Sequence, residues 1–255
     1  MSNIKTPAEQ ELMRAAGRVA ARTLREMADE IAPGVKTREL DEFAARRMQA
    51  LGGESAFLGY RKYPRHTCIS INEEVVHGLA GDRVVREGDI VSIDVGVRVA
   101  GYIGDNATTV VVGECDKNTQ KLVEVTEQSL YASISCAVAG NRVVDISRAV
   151  QELVESNGFS VVREFVGHGV GRSVHEEPQV PNHVNVRRKS PELVPGMILA
   201  IEPMVNAGAP GVKTLSDGWT VVARDGKPSA HFEHTVMIRD GEPEILTWPG
   251  EKKLD

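Results

Sequence analysis

The 255-residue chain is poor in aromatic residues, which make up 4% of it, and it holds three cysteines, Cys68, Cys115 and Cys136. The cysteines form no CxxC pair and no zinc-finger spacing, so neither a disulfide framework nor a structural zinc site organises the fold, and a reducing compartment fits. No run reaches the roughly 18 apolar residues of a membrane span. The first ten residues carry Lys5 and Glu9 where a secretory leader would have an apolar core, so a cytoplasmic location is expected. Basic charge is short as well: 30 Lys and Arg stand against 36 Asp and Glu, a formal charge of −6. Coating nucleic acid requires a basic surface, so that class of function is disfavoured. Asn106-Ala107-Thr108 spells a glycosylation sequon, which without a secretory signal is an accidental match.

What is present is an ordinary globular composition, 41% hydrophobic and 26% charged. Thr6, Pro7 and Glu9 form a helix start, with Thr6 as N-cap, Pro7 at the first helical position and Glu9 closing a capping box. Apolar residues follow at helical spacing from Leu12 to Ile31, until Pro33-Gly34 ends the pattern. A second helix is expected from Thr37 to Leu51, stopped by Gly52-Gly53. From Asp89 the text IVSIDVGVRVAGYIGDNATTVVVG is dense in β-branched residues and turns at Ala100-Gly101, which predicts two antiparallel strands. Helical patterning returns in TQKLVEVTEQSLYASISCAV and VVDISRAVQELVESNG. Strands are then expected at MILAIEPMV, GWTVVARD and AHFEHTVMI.

The order helix, helix, strands therefore occurs twice. Gly34 to Gly52 matches Gly140 to Gly158, and EGDIVSID, ending at Asp94, matches VPGMILAIE, ending at Glu202. The expected architecture is α+β: a single domain over residues 1–255 built from two pseudo-symmetric α/β halves, about 5–113 and 118–240, with antiparallel sheet inside and helices outside.

A carboxylate in an apolar strand is expensive to bury, by several kcal/mol or so, unless it is paired or protonated. Asp94, Glu202 and Glu233 have that character, and Asp105 lies on the return strand where it can approach Asp94. Four carboxylates drawn toward one interior need cations. His168, flanked by Gly167 and Gly169 in FVGHGVG, adds one nitrogen. This set is too acidic for structural zinc and suits a pair of carboxylate-bridged divalent ions roughly 3.5–4 Å apart. Each residue alone reads as an ordinary edge carboxylate or core histidine; the matched set points to metal.

The motifs INEEVVHG, SIDVGVRVAGYIGDNATT, GHGVGRSVHEEPQVPN, LAIEPM, DGWTVV and HFEHT together resemble those of the bacterial-type type I methionine aminopeptidases, which have the pita-bread fold. The resemblance covers nearly the whole chain and implies removal of the N-terminal methionine, with preference for a small second residue. It implies that Asp105 and Glu233 bridge two ions, that Asp94 completes one, and that His168 and Glu202 complete the other. The ions would be Co, Mn, Fe or Zn. Hydroxide bridging them would attack the first peptide bond. Glu202 would shuttle the proton, His77 would lie by the scissile amide, and a protonated His175 or His77 would stabilise the developing charge.

The same resemblance assigns the methionine pocket to Phe57, Tyr60, Tyr63, Cys68, Val174 and Trp219. Val174 stands where the family commonly has an aromatic residue, and Phe57 where it often has a smaller or sulfur-bearing one. His66, His183, His231 and His234 receive no role at the reacting centre. Further implications are nascent polypeptides as partner, transient ribosome association, a monomeric chain, no membrane and no specific nucleic acid. Prolidases and aminopeptidases P normally carry an additional N-terminal domain, for which the segment before INEEVVHG leaves no room. Type II enzymes carry a helical insertion absent between Glu202 and Glu233, and the zinc-binding extension of eukaryotic type I forms is missing. A binding module on this fold without catalysis would have lost ligands, and here all have counterparts. Most of the acidic excess is then metal site rather than acidic surface.

Overall fold

The computed structural model describes residues 4–185 and 189–248, so the outermost ends of the expected 1–255 domain lie outside the described residues. Helix α1 spans Pro7–Asp29 and opens on the capping box read from the sequence. Thr6 Oγ1 accepts from the Glu9 N–H at 3.4 Å, and Glu9 Oε2 accepts from the Thr6 N–H at 2.9 Å. Its buried face, Met13, Ala16, Ala20, Leu24 and Met27, recurs at helical spacing and packs toward the first sheet. Helices α2 (Thr37–Ala50), α3 (Lys117–Ser135) and α4 (Val143–Ser156) complete the helical set among the described residues. No helix in those residues is long and apolar enough to cross a membrane.

The strands in chain order are β1 (Glu54–Ser55), β2 (Cys68–Ile71), β3 (Glu74–Val76), β4 (Ile90–Val99) and β5 (Tyr102–Val111). There follow β6 (Ser160–Val161), β7 (Gly167–Gly169), β8 (Glu176–Val180), β9 (Ile198–Ile201) and β10 (Met204–Asn206). The last are β11 (Val212–Thr214), β12 (Val221–Ala223), β13 (Ser229–His231), β14 (His234–Met237) and β15 (Glu244–Ile245). β4 and β5 form the expected hairpin through Ala100 and Gly101, whose φ values of 48° and 82° suit a tight turn matched to strand twist. β1 and β2 pair with β4 on the edge that β5 leaves free. A five-stranded sheet of order β15-β14-β9-β7-β8 dominates the later part of the chain, and all its pairs are antiparallel.

Three expected strands differ in detail. MILAIEPMV breaks into β9 and β10, in different sheets, because Pro203 lacks the N–H that a ladder requires. AHFEHTVMI likewise splits into β13 and β14, with Glu233 between them. EGDIVSID does not end at Asp94: β4 continues to Val99, which leaves Asp94 in mid-strand opposite Ala107. The formal match with Glu202, which follows the end of β9, is therefore one of place and not of strand termination.

A seam joins β5 to the segment containing Glu233. The Glu233 N–H donates to the Ala107 carbonyl at 3.0 Å, and the Ala107 N–H donates back at 3.3 Å. On one side the Asp105 N–H donates to Thr235 Oγ1 at 3.0 Å, and that hydroxyl donates to the Asp105 carbonyl at 2.7 Å. On the other, Thr109 Oγ1 accepts from the His231 N–H at 3.0 Å and donates to the His231 carbonyl at 2.8 Å. Two sheets are thus stitched by threonine hydroxyls where direct ladder bonds would not reach.

Candidate metal centre and substrate cavity

The seam sets Asp105 on β5 beside Glu233. His168 arrives from β7, where Gly167 and Gly169 let the strand pass close to its neighbours. A Cβ at Gly167 would lie 2.4 Å from the Ala200 carbonyl oxygen, and one at Gly169 would lie 2.4 Å from that of Glu177. His168 Nδ1 is 2.9 Å from the Gly169 carbonyl, so its N–H there leaves Nε2 to face the carboxylates. Ligand atoms of Asp105, His168 and Glu233 lie within 4.8 Å of one another, and all three residues are buried. Glu202 approaches from the β9 break, with Oε1 3.3 Å from His168 Nε2. Asp94 enters from mid-β4, opposite Cys68 on β2.

These groups are electrostatically costly as they stand. Burial, then Asp105 and Glu202, push the Asp94 carboxyl well above its usual range. Burial, followed by Asp105, Glu202 and Asp94, does the same to Glu233. Asp105 is pushed up to about 7, chiefly by burial, with His168 opposing the rise and Glu202 adding to it. Burial raises Glu202 too, against the hydrogen bond from His168. Burial disfavours a charge on His168, but its Glu202 and Asp105 neighbours outweigh that and raise it. Asp94 Oδ1, Asp105 Oδ1 and Glu233 Oε1 are buried without a hydrogen-bond partner. Inward-facing oxygens of this kind are rare in a finished interior. Four carboxylates and one imidazole are the donor set of hard to borderline divalent cations, so the residues present fit a metal site.

Every residue singled out from the sequence lines one cavity of about 250 Å³. The five candidate ligands form its floor. Phe57, Tyr60, Tyr63, Cys68, Val174 and Trp219 line one side. Tyr63 and Trp219 meet edge to face at 5.1 Å between ring centroids. Phe57 is seated by Gly96 of β4, where a Cβ would come within 2.4 Å of the ring. His175 stacks on Tyr60, its Nδ1 3.0 Å from the Tyr60 hydroxyl, and its ring centroid is 4.2 Å from that of His168. His77 lines the cavity against Phe165, at a left-handed φ of 58°.

The expectation of a protonated His175 or His77 is corrected by their surroundings. Burial, followed by the electrostatic influence of His168, Arg61 and His77, lowers His175 to about 3, and burial lowers His77 to about 4. Both imidazoles are therefore neutral near pH 7. His231, given no role from the sequence, also lines the cavity: its Nε2 is buried with no hydrogen-bond partner, 3.9 Å from Glu202 Oε2. The available signal was its spacing, since residues two apart in a strand share a face and Glu233 follows at that interval. Arg61, Val76, Glu164, Phe165, Val166 and Met204 line the cavity as well and were not singled out. His234 points elsewhere, 2.9 Å from Thr247 Oγ1, and His66 and His183 are not on this cavity.

The loop bearing Val174 and His175 is held from below. Glu176 Oε1 accepts from the Arg172 and Ser173 N–H groups at 2.9 and 3.2 Å, and its Oε2 accepts from Lys5 Nζ at 2.7 Å. The two side chains of that ion pair are 4% and 11% exposed, deep enough that neither charge is screened by water as a surface pair would be.

Comparison with known proteins places this arrangement. The pattern of metallopeptidase family M24 matches residues 11–240. Methionine aminopeptidase 1 of Bacillus subtilis is 51% identical over 243 residues, covering 95% of this chain and 98% of that protein. The Escherichia coli methionine aminopeptidase is 44% identical, covering 96% and 93%. The crystal structure of a methionine aminopeptidase from Thermotoga maritima superposes with a TM-score of 0.94 at 46% identity, over 97% of this chain and 99% of that one. A prolidase from Pyrococcus furiosus, 23% identical, shares the fold at a TM-score of 0.79, with 96% of this chain matched to 65% of that one. A pita-bread fold, a buried carboxylate and imidazole floor and matches over nearly full length lead to one assignment: the chain belongs to metallopeptidase family M24 and, within it, to the methionine aminopeptidases.

Proposed function

We propose that this chain removes the N-terminal methionine from nascent polypeptides and peptides, using two divalent ions held by Asp94, Asp105, His168, Glu202 and Glu233. The observation that carries the reading is the coincidence of unpartnered carboxylate oxygens with an apolar side pocket on one small cavity. In this reading Asp105, Glu233 and His168, whose ligand atoms converge, would hold the ions together with Asp94 and Glu202. When bound, such ions supply Lewis acidity for the scissile carbonyl and an activated water near neutral pH.

The protein's own groups do the rest. Phe57, Tyr63, Cys68, Val174 and Trp219 receive the methionine side chain, whose burial contributes about 2 kcal/mol, and a thioether suits such an aromatic wall. His175 Nδ1 lies 3.0 Å from the Tyr60 hydroxyl; with that hydroxyl as donor the imidazole would carry its proton on Nε2, free to donate to the carbonyl oxygen as negative charge develops there. His77 contacts the amide nitrogen of the departing chain. Glu202 takes the proton from water and returns it to the leaving amine. A single catalytic domain of two related halves, a monomeric state, a cytoplasmic location and transient ribosome contact complete the proposal. The domain reading rests on the duplicated element order, and the other three on the likeness to bacterial methionine aminopeptidases.

The test compares kcat/KM on matched peptides beginning with Met, Leu and Ala. Methionine is expected to lead, and chelation followed by re-addition of metal should abolish and restore turnover. A preference for Leu over Met, or full activity after complete chelation, would overturn the reading.

A further inference from the structure

The methionine pocket and the reacting bond account for the interior of the cavity, and Arg61 belongs to neither. It is exposed, yet it lines the same cavity. It lies in the turn Tyr60–Lys62 at φ 47°, followed by Lys62 at φ 72°. Two successive non-glycine residues in the left-handed region are strained, and such strain persists only where neighbours hold it. Here Tyr63 N–H donates to the Tyr60 carbonyl at 2.8 Å and Gly59 N–H to the Tyr63 carbonyl at 2.9 Å, closing the turn beside the pocket wall. The guanidinium carbon stands 5.4 Å from the Tyr60 ring centroid, and no carboxylate among the described residues pairs with it. Glu164 is the exposed acid on the same rim, on the side of Phe165 and Val166.

The cavity, at about 250 Å³, falls below the roughly 300–1,000 Å³ of drug-sized ligand pockets. It has room for a methionyl residue and the amide that follows. The substrate beyond its second residue must run over the rim, advancing about 3.3 Å per residue when extended. A guanidinium there offers a planar fork matched to a carboxylate. We infer that Arg61 forms a downstream substrate subsite that takes a carboxylate, either an acidic side chain at the third or fourth residue of the substrate or the free C-terminus of a short peptide. The inference rests on the aminopeptidase reading above.

Methionine release by the metal-loaded enzyme is measured on amidated Met-Ala-Glu-Ser, Met-Ala-Gln-Ser and Met-Ala-Lys-Ser, which isolate the side chain. Met-Ala-Gln with free and with amidated ends isolates the terminus. Wild type should favour Glu over Gln, or the free over the amidated end, by about two- to fivefold in kcat/KM, carried by KM. The preference should fade at about 0.5 M salt. R61Q should bring the ratio near one, R61K should keep its direction, and R61E should invert it. A loss common to all peptides cancels in the ratio, so disturbance of the Tyr60 and His175 stack cannot imitate the effect. Ratios identical in wild type and R61Q, including ratios of one in wild type for both arms, would overturn the inference while leaving the aminopeptidase reading intact. Release of methionine from none of the peptides would overturn that reading first, and this inference with it.

Discussion

Replacing Asp105 by Asn should make the metal-stripped protein more stable at pH 8, although it removes a candidate ligand. The Asp105 carboxyl is 2% exposed, has a buried oxygen with no partner and is pushed up to about 7. In the unfolded chain it titrates near its ordinary value of about 3.9. Between those values the native state binds the proton more tightly than the unfolded one. Stability of the metal-free protein therefore falls as pH rises from about 4 to about 7, and the loss is complete above that. A gap of about 3 pH units at 1.36 kcal/mol each makes the cost about 4 kcal/mol at pH 8. Asn has the same shape and no charge, and its amide can donate to neighbouring carboxylates, so it should recover about 2–4 kcal/mol. For a chain of this size that is a rise of roughly 5–15 °C in Tm. With metal present the order should reverse, because only the wild type gains the linkage energy of tight binding. Thermal unfolding of both proteins at pH 5 and pH 8, with chelator and with Mn, measures all four cases. A metal-stripped Asp105→Asn protein no more stable than wild type at pH 8, or a difference independent of pH, would refute the reasoning.

Two further outcomes follow from packing around the cavity. Lys5→Met leaves the Glu176 carboxylate buried without its cation, so stability should fall by about 3–5 kcal/mol and kcat should fall with it as the His175 loop loosens. The double variant Lys5→Met with Glu176→Gln should regain part of the stability in urea unfolding, and a double variant no better than the single would argue against the pair. Gly96→Ala would drive a methyl group into the Phe57 ring, at a cost of about 1–3 kcal/mol. KM for methionyl peptides should rise more than kcat falls, and an unchanged KM would remove Phe57 from the pocket wall.

Much of this is legible in the sequence. Thr6, Pro7 and Glu9 announce the start of α1 because capping is local chemistry, written within four positions. The hairpin of β4 and β5 is local too, closed by residues adjacent in sequence. The candidate ligands were legible because a carboxylate inside an apolar strand is anomalous wherever it occurs. What escaped was set by distant partners. Pro203 could be seen, but not that the chain would leave one sheet for another there. His231 receives no role from the sequence because its place on the cavity depends on a seam with Thr109 on β5. Arg61 was hidden for the same reason, since an arginine in a turn carries no periodicity and its place on the rim is known only once Tyr60 meets His175. The neutrality of His77 and His175 is a property of burial, which no motif records.

The seam of Ala107 with Glu233, flanked by Thr235 and Thr109, also dictates when activity can arise. It joins segments made early and late, and the Lys5 contact with Glu176 spans 171 positions. Contacts that remote form slowly, because long loops must close before any reward is collected. The reacting centre is therefore expected among the last features to assemble, and a chain interrupted before Glu233 lacks one of the five candidate ligands and the β14 side of the seam. During refolding, peptide hydrolysis should return with the final cooperative step and not with the early helical signal.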